Sequence, residues 1–141
     1  MADPFDLERF VRAQEGGVYA EALRELREGR KRTHWMWFVF PQVAGLGRST
    51  TAQHYAVSGI AEAQAYLAHP VLGPRLEACA DALMGLDGSD PVAVLGGTDA
   101  QKLRSSMTLF ARAGPGHAVF RHVLDKYFAG EEDEATSTRV S

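Results

Sequence analysis

The sequence predicts an all-α fold, a single compact domain of about six to eight helices around a buried helix rich in tryptophan and phenylalanine. Apolar residues recur at helical spacing along most of the chain. Helix-start signals recur between these segments, as in the Asp90-Pro91 pair, where an N-cap residue precedes a proline. Strand signals are absent outside the tryptophan stretch at 34–40, so a sheet is not expected.

Size and composition fit one ordinary domain. The chain has 141 residues, of which 45% are hydrophobic and 23% charged. The net charge of −3 provides no basic field and argues against a nucleic-acid partner. Cys79 is the single cysteine, and no Cys/His spacing typical of a metal site is present, so we expect neither a metal nor a cofactor.

The sequence favours a cytoplasmic location. No apolar run reaches the roughly 18 residues that a membrane span requires. Asp3 and Asp6 lie where a secretory signal peptide would be basic.

The first three helices are expected at about 4–14, 18–28 and 34–40. In the second, Leu23 and Leu26 belong to the buried stripe, whereas the charged residues, including Glu25, are expected to face solvent. The third is apolar almost all round, which predicts burial on every side, and Pro41 ends it. A strand remains the alternative for so short an apolar run.

Further helices are expected over about 50–57, 60–68, 72–86, 92–95 and 98–112, followed by a last one that ends near Gly130. Thr98 and Gln101 have capping-box spacing and predict the start of the longest of these. Residues 131–141 are polar and are expected to be disordered, which leaves 3–130 as the single helical domain.

Two motifs carry a family resemblance: His-Trp-Met-Trp-Phe-Val-Phe-Pro-Gln at 34–42 and Gly-Leu-Gly-Arg-Ser at 45–49. With the blocks at 69–76 and 99–110, they closely resemble the domain-of-unknown-function family 1810, over about residues 3–130. The resemblance implies an all-helical fold of small bacterial proteins and no particular activity. Residues 38–42 and 52–55 are also distantly similar to NADAR proteins, helical enzymes associated with ADP-ribose chemistry.

The NADAR similarity does not extend to a catalytic mechanism. That family carries Glu-His-Tyr in its second motif, and Gln53 stands at the matching position here. An amide side chain cannot act as an acid or a base, so a glycosidase mechanism is not carried over.

The tryptophan stretch is the first candidate for a ligand site. Trp37 could stack on a base or sugar, His34 could donate a proton, and Lys31 in the basic run 30–32 could hold phosphate. The alternatives are a buried core helix and a solvated turn. Trp35 and Trp37 point to different helix faces, so at most one of them lines a pocket.

The glycine loop that follows is the second candidate. Gly45 and Gly47 would let the backbone approach an anion, with Gln42, Arg48 and Ser49 as further ligand residues. A helix that begins at residue 50 would add its N-terminal amides. The alternative is a plain tight turn.

The third candidate is a polar face of the helix at 98–112. Lys102 and either Ser105 or Ser106 share this face and could hydrogen-bond a ligand, although small residues that allow close helix packing would look the same. Glu62 and Asp99 are carboxylates outside the obvious solvated stripes. Either could be a general base, with His34 as the acid.

These features favour a domain that binds a nucleotide-like or phosphate-bearing small molecule near the His-Trp-Met-Trp stretch. A hydrolase or N-glycosidase acting on a nucleoside or ADP-ribosyl group is the first alternative. A protein-interaction module with exposed aromatic anchors is the second. The sequence leaves open whether the chain is an enzyme, and its oligomeric state.

Overall fold

The structure, a computed structural model, describes residues 3–140, and within this range the fold is all-helical, as predicted. None of the described helices is long and apolar enough to cross a membrane. The described residues form ten helices, more than the predicted six to eight, namely α1 (Glu8–Ala13), α2 (Val18–Glu28), α3 (Met36–Val39), α4 (Thr50–His54), α5 (Ile60–Ala68), α6 (Leu72–Met84), α7 (Pro91–Leu95), α8 (Gly97–Ala113), α9 (Ala118–Phe128) and α10 (Glu134–Val140).

The longest described helix, α8, lies at the centre of the fold. It packs against α5, α7, α9 and α10, and every residue from Ser105 to Ala111 is buried. Small side chains such as Ser106 and Ala113 let the neighbouring helices approach closely. The predicted centre, the tryptophan stretch, is instead a single helical turn at one side of the core.

Helix α3 is shorter than predicted and is not buried on all sides. Trp35 and Met36 are buried, Trp37 and Phe38 are half-buried, and His34 is exposed. The reason lies in the turn at 32–35, where four donors bind the buried carboxylate of Glu25 and hold the backbone outside a helix. Glu25 was predicted to face solvent, and this prediction is wrong.

The loop at 42–49 starts from an isolated parallel bridge between Val43 and Val57, which the sequence did not predict. The amide of Ala44 donates to the carbonyl of Val57 over 2.7 Å, and the amide of Val57 donates to the carbonyl of Gln42 over 2.8 Å. The bridge fixes the position of Gln42 and the direction in which the loop leaves the core.

Three observed helix starts can be compared with the helix-start signals in the sequence. Asp90 caps α7 as predicted, with its carboxylate 3.0 Å from the amide of Val92. Asp3 accepts hydrogen bonds from the amides at 7 and 8, but α1 begins at Glu8 rather than near Pro4. The predicted capping box at Thr98 is absent, because α8 already begins at Gly97 without a side-chain cap.

The chain after Gly130 was predicted to be disordered, whereas the structure contains α10 there, packed on α8. Thr136 is fully buried, and Glu132 forms ion pairs with Arg112 and Arg121. These contacts join residues 11 to 20 positions apart, so the polar composition of the segment gave no sign of them. The described helical structure therefore extends to residue 140.

Candidate functional site

An open cleft of about 500 Å³ lies between α3, the loop at 42–49, α8 and the start of α10. We call it the Trp37 cleft. Segments that are distant in the sequence meet here, because the loop leaves the Val43–Val57 bridge beside α8. The structure brings together seven of the predicted ligand residues on its walls, namely Trp37, Gln42, Gly47, Arg48, Ser49, Lys102 and Ser105.

A smaller pocket of about 130 Å³ adjoins this cleft. The two share Trp37, Gln42, Gly47 and Ala52 as walls, and the small pocket is completed in part by Gly45. The predicted ligand residue Gly45 therefore borders the smaller space and not the cleft itself.

A chain of charges reaches the indole of Trp37. The ammonium of Lys102 lies 4.6 Å from the ring centroid, a distance typical of a cation–π contact. The carboxylate of Asp99 lies 3.5 Å from Lys102 on one oxygen and 2.9 Å from Lys31 on the other. Asp99 therefore holds Lys102 in place, and Lys31 compensates the charge of Asp99.

The positions of Lys31 and His34 differ from the prediction. Lys31 is nearly buried in its ion pair with Asp99 and does not line the cleft. His34 is exposed and also lies outside the walls of the cleft. The two residues therefore do not contribute the phosphate contact and the proton donor that the sequence suggested for this site.

The loop residues Arg48 and Ser49 line the cleft, but they do not form the predicted anion site at a helix start. The hydroxyl of Ser49 already accepts the amide of Ala52 over 3.1 Å. Helix α4 has only five residues, too few for a substantial helix dipole. The side chain of Arg48 is exposed, and its carbonyl accepts a hydrogen bond from Gln53.

The two adjacent serines of α8 lie in different surroundings. Ser105 lines the cleft, and its hydroxyl donates to the carbonyl of Gln101 over 3.1 Å. Ser106 is fully buried and does not line the cleft, so its predicted role as a ligand residue is not supported. Neighbouring helix positions differ by about 100°, which lets only one of the pair face the cleft.

Glu62 belongs to a buried ion pair that joins two parts of the fold. It is buried, its carboxylate lies 2.8 Å from the guanidinium of Arg9, and it also accepts the amide and hydroxyl of Ser58. Arg9 in turn donates to the carbonyls of His54 and Ala56. The group thus ties α1 to the segment at 54–62, and Glu62 does not line the cleft where it was predicted to act as a base.

Sequence reasoning missed the contribution of the C-terminal segment. Asp133 and Ala135 line the cleft, and one carboxylate oxygen of Asp133 accepts the amide and hydroxyl of Thr136. An Asp three residues before a Thr at the start of a short helical stretch is a capping signal that could have indicated α10. No group of side chains suited to a metal ion occurs among residues 3–140.

Fold and site together define a small, all-helical domain with one aromatic and cationic cleft beside its central helix. The model of the family described as "Protein of unknown function (DUF1810)" matches residues 4–140, and the chain belongs to this family. The sequence resemblance to family 1810 is thereby confirmed.

A solved structure supports the same assignment. The crystal structure of the conserved hypothetical protein Rv1873 from Mycobacterium tuberculosis is 51% identical in sequence and superposes with a TM-score of 0.95. The match covers 98% of each chain. No curated protein matches the sequence.

Proposed function

We propose that this chain binds a small anionic molecule that carries a flat ring, of the nucleotide type, in the Trp37 cleft. The observation that carries the proposal is the ammonium of Lys102 4.6 Å from the indole of Trp37, both on the wall of one cleft. An indole with an ammonium over its ring brings together the two groups that suit the halves of a nucleotide, an aromatic ring for stacking and a cation for the phosphate.

The charges of the cleft favour an anion. Arg48 and Lys102 oppose a single lining carboxylate, that of Asp133. The nearby Asp99 does not cancel Lys102, since Lys31 compensates its charge over 2.9 Å. Arg48 is exposed and has no side-chain ion pair among residues 3–140, so a ligand could recruit its guanidinium without breaking one.

The size and polarity of the cleft suit a small molecule rather than a macromolecule. Its volume of about 500 Å³ lies within the range of roughly 300–1,000 Å³ that is usual for such sites. Gln42, Thr98, Gln101 and Ser105 add neutral hydrogen-bonding groups around the aromatic wall. A few polar groups around an apolar face fix the orientation of a ligand.

A hydrolase acting on a nucleoside or ADP-ribosyl group is less well supported than binding. Hydrolysis would require a general base within hydrogen-bond reach of the ligand. Glu62 is committed to its ion pair with Arg9, and both oxygens of Asp99 face lysines. No contact favours catalysis by His34, which is exposed outside the cleft.

A protein-interaction module is also less well supported. Such a surface would present exposed aromatic anchors, but Trp35 is buried and Trp37 is half-buried. Val92 is the one large hydrophobic residue that is strongly exposed within residues 3–140. A single exposed valine is ordinary for a protein surface.

Calorimetric titration tests the proposal with four probes: adenosine 5′-monophosphate, ribose 5-phosphate, adenosine and inorganic phosphate. We expect the monophosphate to bind best, because it alone supplies both halves. Lys102→Met and Arg48→Gln should each weaken its binding by about tenfold, the usual value of a charge-assisted hydrogen bond.

Arg30→Gln is the matched control for Arg48→Gln, because it removes the charge of an exposed arginine that does not line the cleft. Its affinity should equal that of the wild type. Absence of saturable binding by all four probes, or equal effects of the two arginine substitutions, would contradict the proposal.

A further inference from the structure

The C-terminal segment at 131–140 closes one side of the Trp37 cleft. Asp133 and Ala135 form part of its wall. Farther along, the guanidinium of Arg139 donates to the carbonyl of Gly45 over 3.3 Å. The segment therefore spans from α8 to the loop at 42–49, the two elements that carry Lys102 and Arg48.

The carboxylate of Glu132 links this segment to both α8 and α9. Glu132 accepts two hydrogen bonds from Arg112, at 2.8 and 3.1 Å, one from Arg121 at 3.0 Å and one from Ser137 at 3.0 Å. The side chain of Glu132 is only 23% exposed. A bidentate pair of this kind fixes direction as well as distance.

The segment also makes other contacts with the domain. The amide of Asp133 donates to the hydroxyl of Thr108 over 2.9 Å, and Thr136 is buried against the domain. Arg104 donates to the carbonyls of Glu131 and Glu132. Glu134, by contrast, is exposed and lies on the outer side, away from the walls of the cleft.

We propose that the segment at 131–140 is an opening wall of the Trp37 cleft, and that Glu132 is the positioning residue that keeps it closed through Arg112 and Arg121. The consequence for a ligand rests on the proposed function: a nucleotide-type molecule is retained in the cleft while this ion pair is formed and leaves faster when it is broken. The closing itself does not depend on the identity of the ligand.

A thiol-labelling experiment tests the closing without any ligand. Ser105 lines the cleft and is only 5% exposed, so Ser105→Cys in the full chain reports access to this part of the cleft wall. The natural Cys79 is silent, because it is fully buried and burial raises its thiol pKa to about 12. The measured quantity is the rate of reaction with a small thiol reagent.

In this background, Glu132→Gln should raise the labelling rate by at least about tenfold, because the arginines lose the charge of their partner and one of its two acceptor oxygens. Glu134→Gln, the same change two residues away, should leave the rate as it was. Glu132→Asp should restore part of the protection, since a carboxylate remains to meet the arginines.

Two further readouts separate local opening from general loss of stability. Hydrogen exchange should accelerate in the segment at 131–140 of Glu132→Gln and remain unchanged in α8 and α9. Arg112→Gln should reproduce both effects from the opposite side of the ion pair. Equal labelling rates for the Glu132→Gln and Glu134→Gln variants would overturn the proposal. Hydrogen exchange that accelerates throughout the chain, in both the Glu132→Gln and Arg112→Gln variants, would also overturn it.

A separate measurement tests the retention of a ligand, with the dissociation rate of adenosine 5′-monophosphate as the measured quantity. Faster dissociation from Glu132→Gln than from Glu134→Gln supports both proposals. A wild-type protein that does not bind the probe would count against the proposed function alone, because the labelling and exchange results decide the closing by themselves. Dissociation that is unchanged although labelling accelerates would overturn the retention of ligand by this segment.

Discussion

At the scale of the residue, Glu25 shows how one buried carboxylate can shape the approach to a site. It accepts the amides of Arg32 and Thr33, the hydroxyl of Thr33 and the indole N–H of Trp35. Burial alone would raise the pKa of Glu25, but these hydrogen bonds outweigh it and lower the pKa to about 2. The turn at 32–35 that leads into α3 therefore depends on an ionised carboxylate.

The sequence gives little sign of this role, because Glu25 lies among five charged residues of α2 and is spaced like the solvated ones. Its partners lie seven to ten positions away in an irregular turn, where no periodicity applies. The sequence conceals the partner of Glu62 in the same way, because Arg9 lies 53 positions earlier in the chain.

The depressed pKa of Glu25 predicts a specific loss of stability in acid. Its folded-state pKa of about 2 lies below the ordinary value of 4.5, so its stabilisation is complete above pH 4.5. It is lost as the pH falls from 4.5 towards 2. Glu25→Gln should unfold more easily by about 2–4 kcal/mol at neutral pH, because the donors keep only a neutral partner.

Urea denaturation of both proteins at a series of pH values checks this prediction. The difference in unfolding free energy should shrink through the acid range, because Glu25 becomes protonated in the wild type. Glu132 and the other carboxylates titrate in both proteins, so their contributions cancel. Glu28→Gln, on the exposed side of α2, should differ little from wild type at any pH. A gap between wild type and Glu25→Gln that persists at pH 2.5 would contradict this account.

At the scale of the element, helix boundaries were predictable where glycine set them. Helix α2 runs from Val18 to Glu28 as predicted, because Gly17 and Gly29 at its ends have positive φ angles of 83° and 79°. Such a conformation is costly for other residues. Helix α10 was missed, because the contacts of Glu132 with α8 and α9 cannot be read from a polar segment and the Asp133 cap is the one local signal noted for it.

The packing of α5 on α6 leads to an element-scale prediction at Gly73. This glycine is buried, and a Cβ added there would overlap the carbonyl oxygen and carbon of Leu67, which belong to the backbone and cannot move aside easily. Gly73→Ala should therefore lower the unfolding free energy by about 2 kcal/mol or more, the usual cost of overpacking.

Gly97→Ala is a suitable comparison, because a Cβ at this first residue of α8 would meet no atom within 4 Å. Alanine there should leave stability unchanged or raise it slightly. Thermal unfolding of the two variants beside wild type measures both effects. Similar melting temperatures for both variants would show that the close approach of α5 and α6 has been misjudged.

At the scale of the whole molecule, the three regions that the sequence marks as candidates line one cleft: the tryptophan stretch, the glycine loop and the 98–112 helix. The sequence marks them because aromatic, glycine and cationic residues are concentrated there. It does not show which side chains face inward. Ser106 and Lys31 point into the protein, and His34 lies outside the cleft, because packing around α8 decides those directions.

The same limit explains why α8, and not the tryptophan stretch, is the centre of the fold. Its sequence contains serines, threonine and alanines that read as ordinary helix surface, yet residues 105–111 are all buried. Burial of these small residues follows from the number of helices that surround α8, which is a property of the assembled fold and not of any local pattern.

The two tryptophans allow a direct test of ligand binding in the Trp37 cleft. Trp35 is buried, and its indole nitrogen donates to Glu25 over 3.0 Å, whereas Trp37 lines the cleft beneath Lys102. Their indole N–H signals in a nitrogen-15 NMR spectrum therefore serve as a reporter and an internal reference.

Titration of adenosine 5′-monophosphate into the labelled protein should move the Trp37 indole signal in a saturable way and leave the Trp35 signal in place. The same shift in Lys102→Met should require about tenfold more probe. A Trp37 signal that stays fixed up to millimolar probe, or one that moves together with Trp35 and equally in Lys102→Met, would contradict binding in this cleft.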